Sequence, residues 1–221
     1  MQTTDDNVQS RETIVMRYLR GLAAGMMLAG ALAATGTARA EPRDYVMDQE
    51  HFAIAFMVHH LGLADTVGMF REASGSFTFD KETGEISNVV ITVQTDSVFT
   101  NHEDRDEHLR GPDFLNVQEY PTMTFTADDA TKTGERAAKV EGNLTMLGQT
   151  EPLTLEVTYE GSRDYPFGDG HHAIGISARG TITRSDYGMT YAIEDDLVGD
   201  EIDLIIEFEA MYADAANGQQ D

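Results

Sequence analysis

Apolar side chains recur at every second position over much of the chain after residue 40, and this period of two constrains the fold more than any other feature. The alternation is strictest in 153–160 and 202–209, and it recurs in 52–58 and 89–93. Such alternation gives a strand one apolar face and one wet face, as in antiparallel sheets. Further short runs bring the total to about nine strands, at 66–70, 75–79, 122–127, 139–146 and 173–183.

Helical signals are scarce. The best is 103–109, where Thr100 and Glu103 fit a capping box and Gly111-Pro112 predicts the end. Antiparallel strands in a meander need their edges protected, and closure into a barrel does this completely. We therefore predict an all-β fold, an antiparallel barrel of about eight strands with one or two short helices. A β-sandwich is the alternative.

A barrel of this size either fills with its own side chains or holds one small ligand. Glycines at 68, 142, 175 and 180 lie within or near predicted strands. Glycine inside a strand indicates a bend or a close approach of another group.

The first 40 residues have the order of a secretory signal peptide. Arg17 and Arg20 precede an uncharged apolar run, and 37–40 form a small-x-small end. The run of about 14 residues is short for a membrane span. We predict cleavage after Ala40 and an exported, soluble mature protein. Met16 is an alternative start, because acidic residues near Met1 fit a signal peptide poorly.

The remainder is predicted to form one domain over 41–213, followed by a disordered polar tail over 214–221. Lys and Arg total 15 against 39 Asp and Glu, a net charge of −24. Because residues 1–40 contain four arginines and three acids, residues 41–221 keep a net charge of −25. This charge excludes binding to nucleic acid phosphates and opposes binding to anionic membranes. The acidity fits either a salty habitat or an ordinary solvated surface.

Motifs for catalysis or metal binding are missing from the sequence. There is no Cys, no Gly-x-Ser-x-Gly and no His-Glu-x-x-His. His59 and His60 point to opposite faces of a strand, but His60 and His108 from separate segments form an alternative metal site. The run 194–196 is predicted as a solvated acidic loop, with a weak Ca²⁺ site as the alternative. We expect no catalytic residue, no metal and no cofactor.

An ordered set of short motifs resembles a known family. The motifs are Tyr45-Val46-Met47-Asp48, His59-His60-Leu61-Gly62, Gly68-Met69-Phe70, Arg105-Asp106-Glu107-His108-Leu109-Arg110, Tyr120-Pro121-Thr122-Met123-Thr124-Phe125, Gly142-Asn143-Leu144-Thr145-Met146 and Arg184-Ser185-Asp186-Tyr187-Gly188-Met189. In this order they are similar to the YceI-like family of exported bacterial proteins, over 44–211. The resemblance implies an extended lipocalin-like antiparallel barrel, a periplasmic location and an isoprenoid or similar lipid inside the barrel. It also implies a quinone or cytochrome b561-type membrane partner for some relatives.

Inward-facing residues of such a barrel are the candidate lining of a lipid channel, with core filling as the alternative for each. They are Phe52, Ile54, Phe56, Val58, Phe77, Val89, Ile91, Phe125, Leu144, Leu155, Val157, Ile176, Leu204 and Ile206. A second set is predicted to form a polar cluster at the barrel mouth, where it meets a lipid head group or closes the barrel end by hydrogen bonds and ion pairs. Its members are His60, Arg105, Asp106, His108, Arg184 and Asp186.

The sequence thus favours a periplasmic carrier for a long apolar lipid such as a polyisoprenoid, a prenyl quinone or a fatty-acid derivative. Two alternatives remain at this point. One is a stress or interaction module with a solid barrel, and the other is an enzyme that acts on a lipid. A homodimer is also compatible with an open barrel edge.

Overall fold

The structure is a computed structural model that describes residues 41–216. The predicted signal peptide and residues 217–221 lie outside the described residues. Within 41–216 the chain forms eleven strands, two α-helices and two turns of 3₁₀ helix at Thr95–Ser97 and Arg184–Tyr187. The strands are β1 (Arg43–His60), β2 (Ala64–Phe70), β3 (Ala73–Phe79), β4 (Ile86–Gln94), β5 (Val98–Phe99), β6 (Thr122–Ala127), β7 (Ala130–Lys132), β8 (Ala137–Met146), β9 (Gln149–Asp164), β10 (His172–Thr183) and β11 (Val198–Tyr212). The helices are α1 (Glu103–Arg110) and α2 (Ala213–Ala216).

Eight strands close into an antiparallel barrel in the order β11-β10-β9-β8-β6-β4-β3-β1, and β1 pairs with β11 to complete the ring. The closing register runs from Tyr45 opposite Tyr212 to His60 opposite Val198. The predicted barrel is confirmed, and this pairing excludes the open sandwich. β2 continues the line of β3 along the second half of β1, and the short β5 pairs with β2.

All nine predicted strand segments are present, whereas β5 and β7 were not predicted. With two and three residues, they are too short to show a period. The predicted helix forms as α1 and extends to Arg110, but the predicted capping box is wrong. His102 is the N-cap, and its ring accepts a hydrogen bond from the Arg105 backbone N–H. Helix α2 extends past residue 213 into the segment that was predicted as a polar tail.

A bulge interrupts the pairing of β1 with β11. Met47 lies opposite Ala210 and Phe52 lies opposite Phe208, so β1 contains three more residues than β11 over this interval. Bulges bend a strand and redirect its side chains. Two contacts of the Asp48 carboxylate hold the inserted residues in place. It accepts a hydrogen bond from the Glu50 N–H at 2.8 Å and contacts His51 Nδ1 at 2.7 Å.

Two glycines predicted to permit close approach do so inside the barrel. Gly68 lies directly across from Phe56, and a Cβ at this position would overlap the Phe56 ring. A Cβ at Gly142 would overlap the Phe125 ring and the Thr126 carbonyl oxygen. These aromatic rings therefore lie flat against the barrel wall, which keeps them out of the middle of the barrel.

Among residues 41–216, none of the helices has the length and apolar character needed to cross a membrane.

Candidate ligand-binding cavity

A cavity of about 500 Å³ lies inside the barrel. This volume falls within the range of about 300–1,000 Å³ that is typical of small-molecule sites. Leu204, Ile206 and Phe208 of β11 line the cavity, yet they are only half-buried although they point inward. Since inward side chains in a filled core would be fully buried, their accessible surface faces the cavity. The barrel is therefore hollow.

The structure places thirteen of the fourteen predicted lining residues on the cavity wall. They are Ile54, Phe56, Val58, Phe77, Val89, Ile91, Phe125, Leu144, Leu155, Val157, Ile176, Leu204 and Ile206. Phe52 is not on this wall; it packs against the core and lines a separate surface recess with Gln49, Arg71 and Glu72. Phe52 keeps the alternation of β1, since it lies opposite Phe208 as Ile54 lies opposite Ile206, but its place directly after the bulge leaves it beside this recess.

Further wall residues come from segments without strand periodicity. Leu109 lies in the last turn of α1, Phe114 and Leu115 follow the helix, and Tyr191 belongs to the loop before β11. These four side chains surround the end of the barrel next to α1. The apolar pair Phe114-Leu115 after the helix stop is the only sequence signal for them.

An aromatic cluster closes one end of the cavity. The Tyr45 and Phe77 rings stack at 5.5 Å, and Phe77 meets Phe208 edge-on at 6.1 Å. Beneath them Ile174 and Ala210 are almost fully buried. Burial raises the pKa of the Tyr45 hydroxyl, with a further contribution from its hydrogen bond to Tyr212. No charged side chain lines the cavity at this closed end.

The opposite end is open, and we call it the mouth. His60, Leu61, Arg105, His108, Tyr191 and Leu197 line the cavity there and are also exposed to solvent. The charged and histidine side chains of the wall, which are His60, Arg105, His108 and Arg184, all belong to this end. The wall is therefore apolar from the closed end almost to the mouth, and its polarity is confined to the mouth.

Arg184 is the most deeply placed of these polar groups, with 1% of its surface exposed. Its guanidinium donates to the backbone carbonyls of Gly199, Met189, Tyr191 and Val198 at 2.7–2.9 Å. Burial lowers its pKa, and nearby Asp200 opposes this effect. Hydrogen bonds to backbone carbonyls thus take up the donors of Arg184 at this end of the barrel. Asp186 is exposed and is not on the cavity wall.

Asp106 has a structural role and does not line the cavity. Its buried carboxylate accepts from both the backbone N–H and the hydroxyl of Thr100. Arg105 donates through Nε to the Thr100 hydroxyl and through Nη2 to the Thr100 carbonyl, each at 2.7 Å. Thr100 therefore ties helix α1 to the end of β5, and the Arg105 side chain remains at the mouth.

His108 lies among aromatic rings at the mouth. Its ring meets Phe114 and Tyr191 edge-on at 5.0 and 5.2 Å, and its Nε2 contacts Asp113 at 2.9 Å. These contacts connect α1 to the loop before β11. That loop also contains the predicted acidic run 194–196, which is exposed as expected.

A second cluster lies outside the cavity, at the β1 bulge. Asp48, His51 and Glu209 each have a possible metal-ligand atom, and these atoms lie within 4.8 Å of one another. The sequence analysis did not identify this cluster, because Glu209 joins it only through the barrel closure. Both Asp48 oxygens already have partners, the Glu50 N–H and the His51 ring.

The bond to Asp48 raises the pKa of His51 above its ordinary 6.5, and Glu209 and Glu50 contribute in the same direction. The pKa of His51 is therefore higher in the folded protein than in the unfolded chain. The stabilisation that protonated His51 contributes is present below pH 6.5 and is lost as the pH rises through the pKa of the folded protein. We expect Asp48→Asn to lower the His51 pKa in an NMR titration of the imidazole. Asp65→Asn, which removes the partner of His59, is the matched control and should leave the His51 titration unchanged.

Comparison with known proteins places the chain among described relatives. The model of the YceI-like domain matches residues 45–210. The chain is 39% identical over 189 residues to Protein YceI of Salmonella arizonae and equally to that of Salmonella paratyphi B, covering 85% of this chain and 95% of each relative.

Solved structures share the architecture. A Campylobacter jejuni YceI protein is 33% identical with a TM-score of 0.63, over 69% of this chain and 88% of that one. BcnA of Burkholderia cenocepacia shares the fold at 19% identity and a TM-score of 0.65, over 74% and 98% of the two chains. A polyisoprenoid-binding domain from Saccharophagus degradans, at 15% identity and a TM-score of 0.54, covers 76% of this chain and 98% of its own. By domain match, sequence identity and barrel architecture together, the chain belongs to the YceI-like family.

Proposed function

We propose that the protein is a periplasmic carrier that holds one long apolar lipid inside the barrel, with the lipid's polar end at the mouth. The observation that supports this most is the distribution of polarity along the wall. A lipid with a polar head and an apolar tail matches a cavity that is polar only at its open end. The signal-peptide pattern in 1–40 supports the periplasmic location.

The energetics depend on how much of the tail is buried. Burial of a methylene group contributes roughly 0.8 kcal/mol, so a dozen would give on the order of 10 kcal/mol. Association and ordering of the chain oppose this by about 4–15 kcal/mol. Because micromolar affinity corresponds to a net gain of about 8 kcal/mol, it requires a tail that buries more than a dozen methylenes, and tail length should affect affinity more than the head group does.

The ligand class that we propose is a polyisoprenoid, a prenyl quinone or a fatty-acid derivative. The Saccharophagus degradans domain, a structural neighbour with the same fold, is described as polyisoprenoid-binding. The bound lipid is cargo, and we propose that the protein needs no cofactor. We also propose that it does no chemistry, because Arg105, His108 and Arg184 at the mouth are held in contacts that fix loops to the barrel.

The test is to identify what leaves the purified protein. Native mass spectrometry should show an added mass that organic extraction releases as an apolar molecule. The extracted protein should then take up geranylgeraniol with one molecule bound per chain. A protein that is isolated empty and binds no prenyl chain would contradict the proposal.

A further inference from the structure

We propose that the mouth docks onto an uncharged lipid surface through four exposed apolar side chains, Leu61, Leu63, Tyr191 and Leu197, which we call the apolar rim. This inference rests on the proposed function and adds the route by which the ligand enters. A long apolar lipid has little solubility in water, so a carrier gains by contacting the phase that contains it.

The rim lies at the entrance of the cavity. Leu61, Tyr191 and Leu197 line the cavity and are 47%, 46% and 41% exposed. Leu63 belongs to the same β1–β2 turn as Leu61 and is 81% exposed. Single exposed leucines are common, but apolar groups gathered around the opening of a cavity indicate an interaction site.

The backbone N–H groups of the three rim leucines are hydrogen-bonded within the protein. The Leu61 N–H donates to the Leu197 carbonyl at 3.0 Å, and the Leu63 N–H donates to the His60 carbonyl at 3.0 Å. The Leu197 N–H donates to the Ala192 carbonyl at 3.2 Å. Because unsatisfied donors oppose entry into lipid, these bonds allow the leucines to enter its surface layer without exposing an unpaired N–H.

The turn that presents the leucines would ordinarily favour polar residues. Leu61 and Gly62 both have positive φ, at 55° and 65°. They are the first two residues of the three-residue connection 61–63, and successive positive φ values favour Asn-Gly or Asp-Gly, while leucine is unfavourable in this conformation. The chain therefore places a large apolar side chain where a polar residue would give a more stable turn and a more soluble protein.

Tyr191 has the character of a residue at a membrane interface. Its ring packs edge-on against Phe114 at 5.3 Å and against His108 at 5.2 Å, which fixes its position at the mouth. Tyrosine has an apolar ring and a polar hydroxyl, and it is enriched where lipid meets water.

The charge near the rim selects the kind of surface. Glu194, Asp195 and Asp196 are exposed within the loop between Tyr191 and Leu197. They outnumber the one arginine exposed at the mouth, Arg105, so the mouth would be repelled by anionic head groups and tolerated by zwitterionic ones. The occupant that fits both the apolar rim and this acidic loop is a lipid surface without net charge.

The test compares the protein with Leu63→Asp on vesicles of dioleoylphosphatidylcholine. We expect the variant to co-float with the vesicles roughly tenfold less and to take up fluorescently labelled geranylgeraniol from them roughly tenfold more slowly. Added phosphatidylglycerol should weaken co-flotation of the unmodified protein. Phe167→Asp is the matched control, because Phe167 is 76% exposed but lies between β9 and β10, at the closed end.

Binding of the lipid probe in the absence of vesicles distinguishes an effect on docking from an effect on the cavity itself. When the same probe is added from ethanol without vesicles, Leu63→Asp should bind it as the unmodified protein does. Unchanged co-flotation, an equal loss with Phe167→Asp, or an equal loss of direct binding would each overturn the docking proposal. So would sedimentation showing that Leu63→Asp converts a dimer to a monomer, because the rim would then be a subunit interface. A failure of direct binding in the unmodified protein contradicts the carrier function instead, and flotation with empty vesicles still tests docking.

Discussion

Replacing Arg184 with alanine is expected to lower the free energy of unfolding by about 3–5 kcal/mol. The substitution removes a buried guanidinium that donates to four backbone carbonyls, those of Met189, Tyr191, Val198 and Gly199. These carbonyls belong to the loop before β11 and to the start of β11 itself. Without the arginine they lose their partners where water has limited access. Urea unfolding followed by circular dichroism measures the loss.

Arg179→Ala is the matched control for Arg184. Arg179 lies on β10, which ends one residue before Arg184, and it pairs with Glu207 at 2.6 Å, but both side chains are nearly half exposed. Exposed ion pairs contribute about 0–1 kcal/mol, so this variant should unfold almost as the unmodified protein does. Equal effects of the two substitutions would show that the carbonyl network does not hold the mouth together.

Ala178→Phe should block the cavity and weaken binding of a long lipid by about 100-fold. Ala178 lines the cavity from β10, between Ile176 at the closed end and Ile182 nearer the mouth. A phenyl ring there would displace about four methylenes of the tail, at roughly 0.8 kcal/mol each. Because Ala178 is only 3% exposed, the ring must push neighbouring side chains aside to reach the cavity, and the free energy of unfolding should fall by about 1 kcal/mol. Titration with geranylgeraniol and urea unfolding measure the two effects.

The control for Ala178→Phe is Val90→Phe, which adds a ring on the outer face of β4 where Val90 is 43% exposed. It should change neither binding nor stability appreciably. If the barrel were filled, Ala178→Phe would overpack the core and destabilise it by about 1–3 kcal/mol. Destabilisation without any loss of binding would favour the solid-barrel alternative.

Much of this architecture follows from alternation in the sequence. Leu144 and Leu155 lie in regular strands, so their inward direction was predictable from neighbours two residues away. Phe52 shares the period of Ile54, but its place directly after the bulge in β1 leaves it off the cavity wall, which periodicity alone does not reveal. The closing pair of β1 and β11 joins the two ends of the domain, and no local pattern specifies that register.

The mouth was only partly predictable because loops have no period. The motif around Arg184 indicated a polar group at one barrel end, but its partners are carbonyls of a loop whose course only the fold determines. Phe114 and Tyr191 were missed for the same reason. Exposed leucines at 61 and 63 gave no signal until their position beside the cavity was known.

The most direct test of a hollow apolar barrel is affinity as a function of tail length. A series of straight-chain alcohols should compete for the site with a dissociation constant that falls roughly fourfold for each added methylene. The fall should level off once the cavity is full, and Ala178→Phe should level off at a shorter chain. A dissociation constant that does not depend on chain length would contradict the account, because each methylene buried in an apolar channel should increase the affinity.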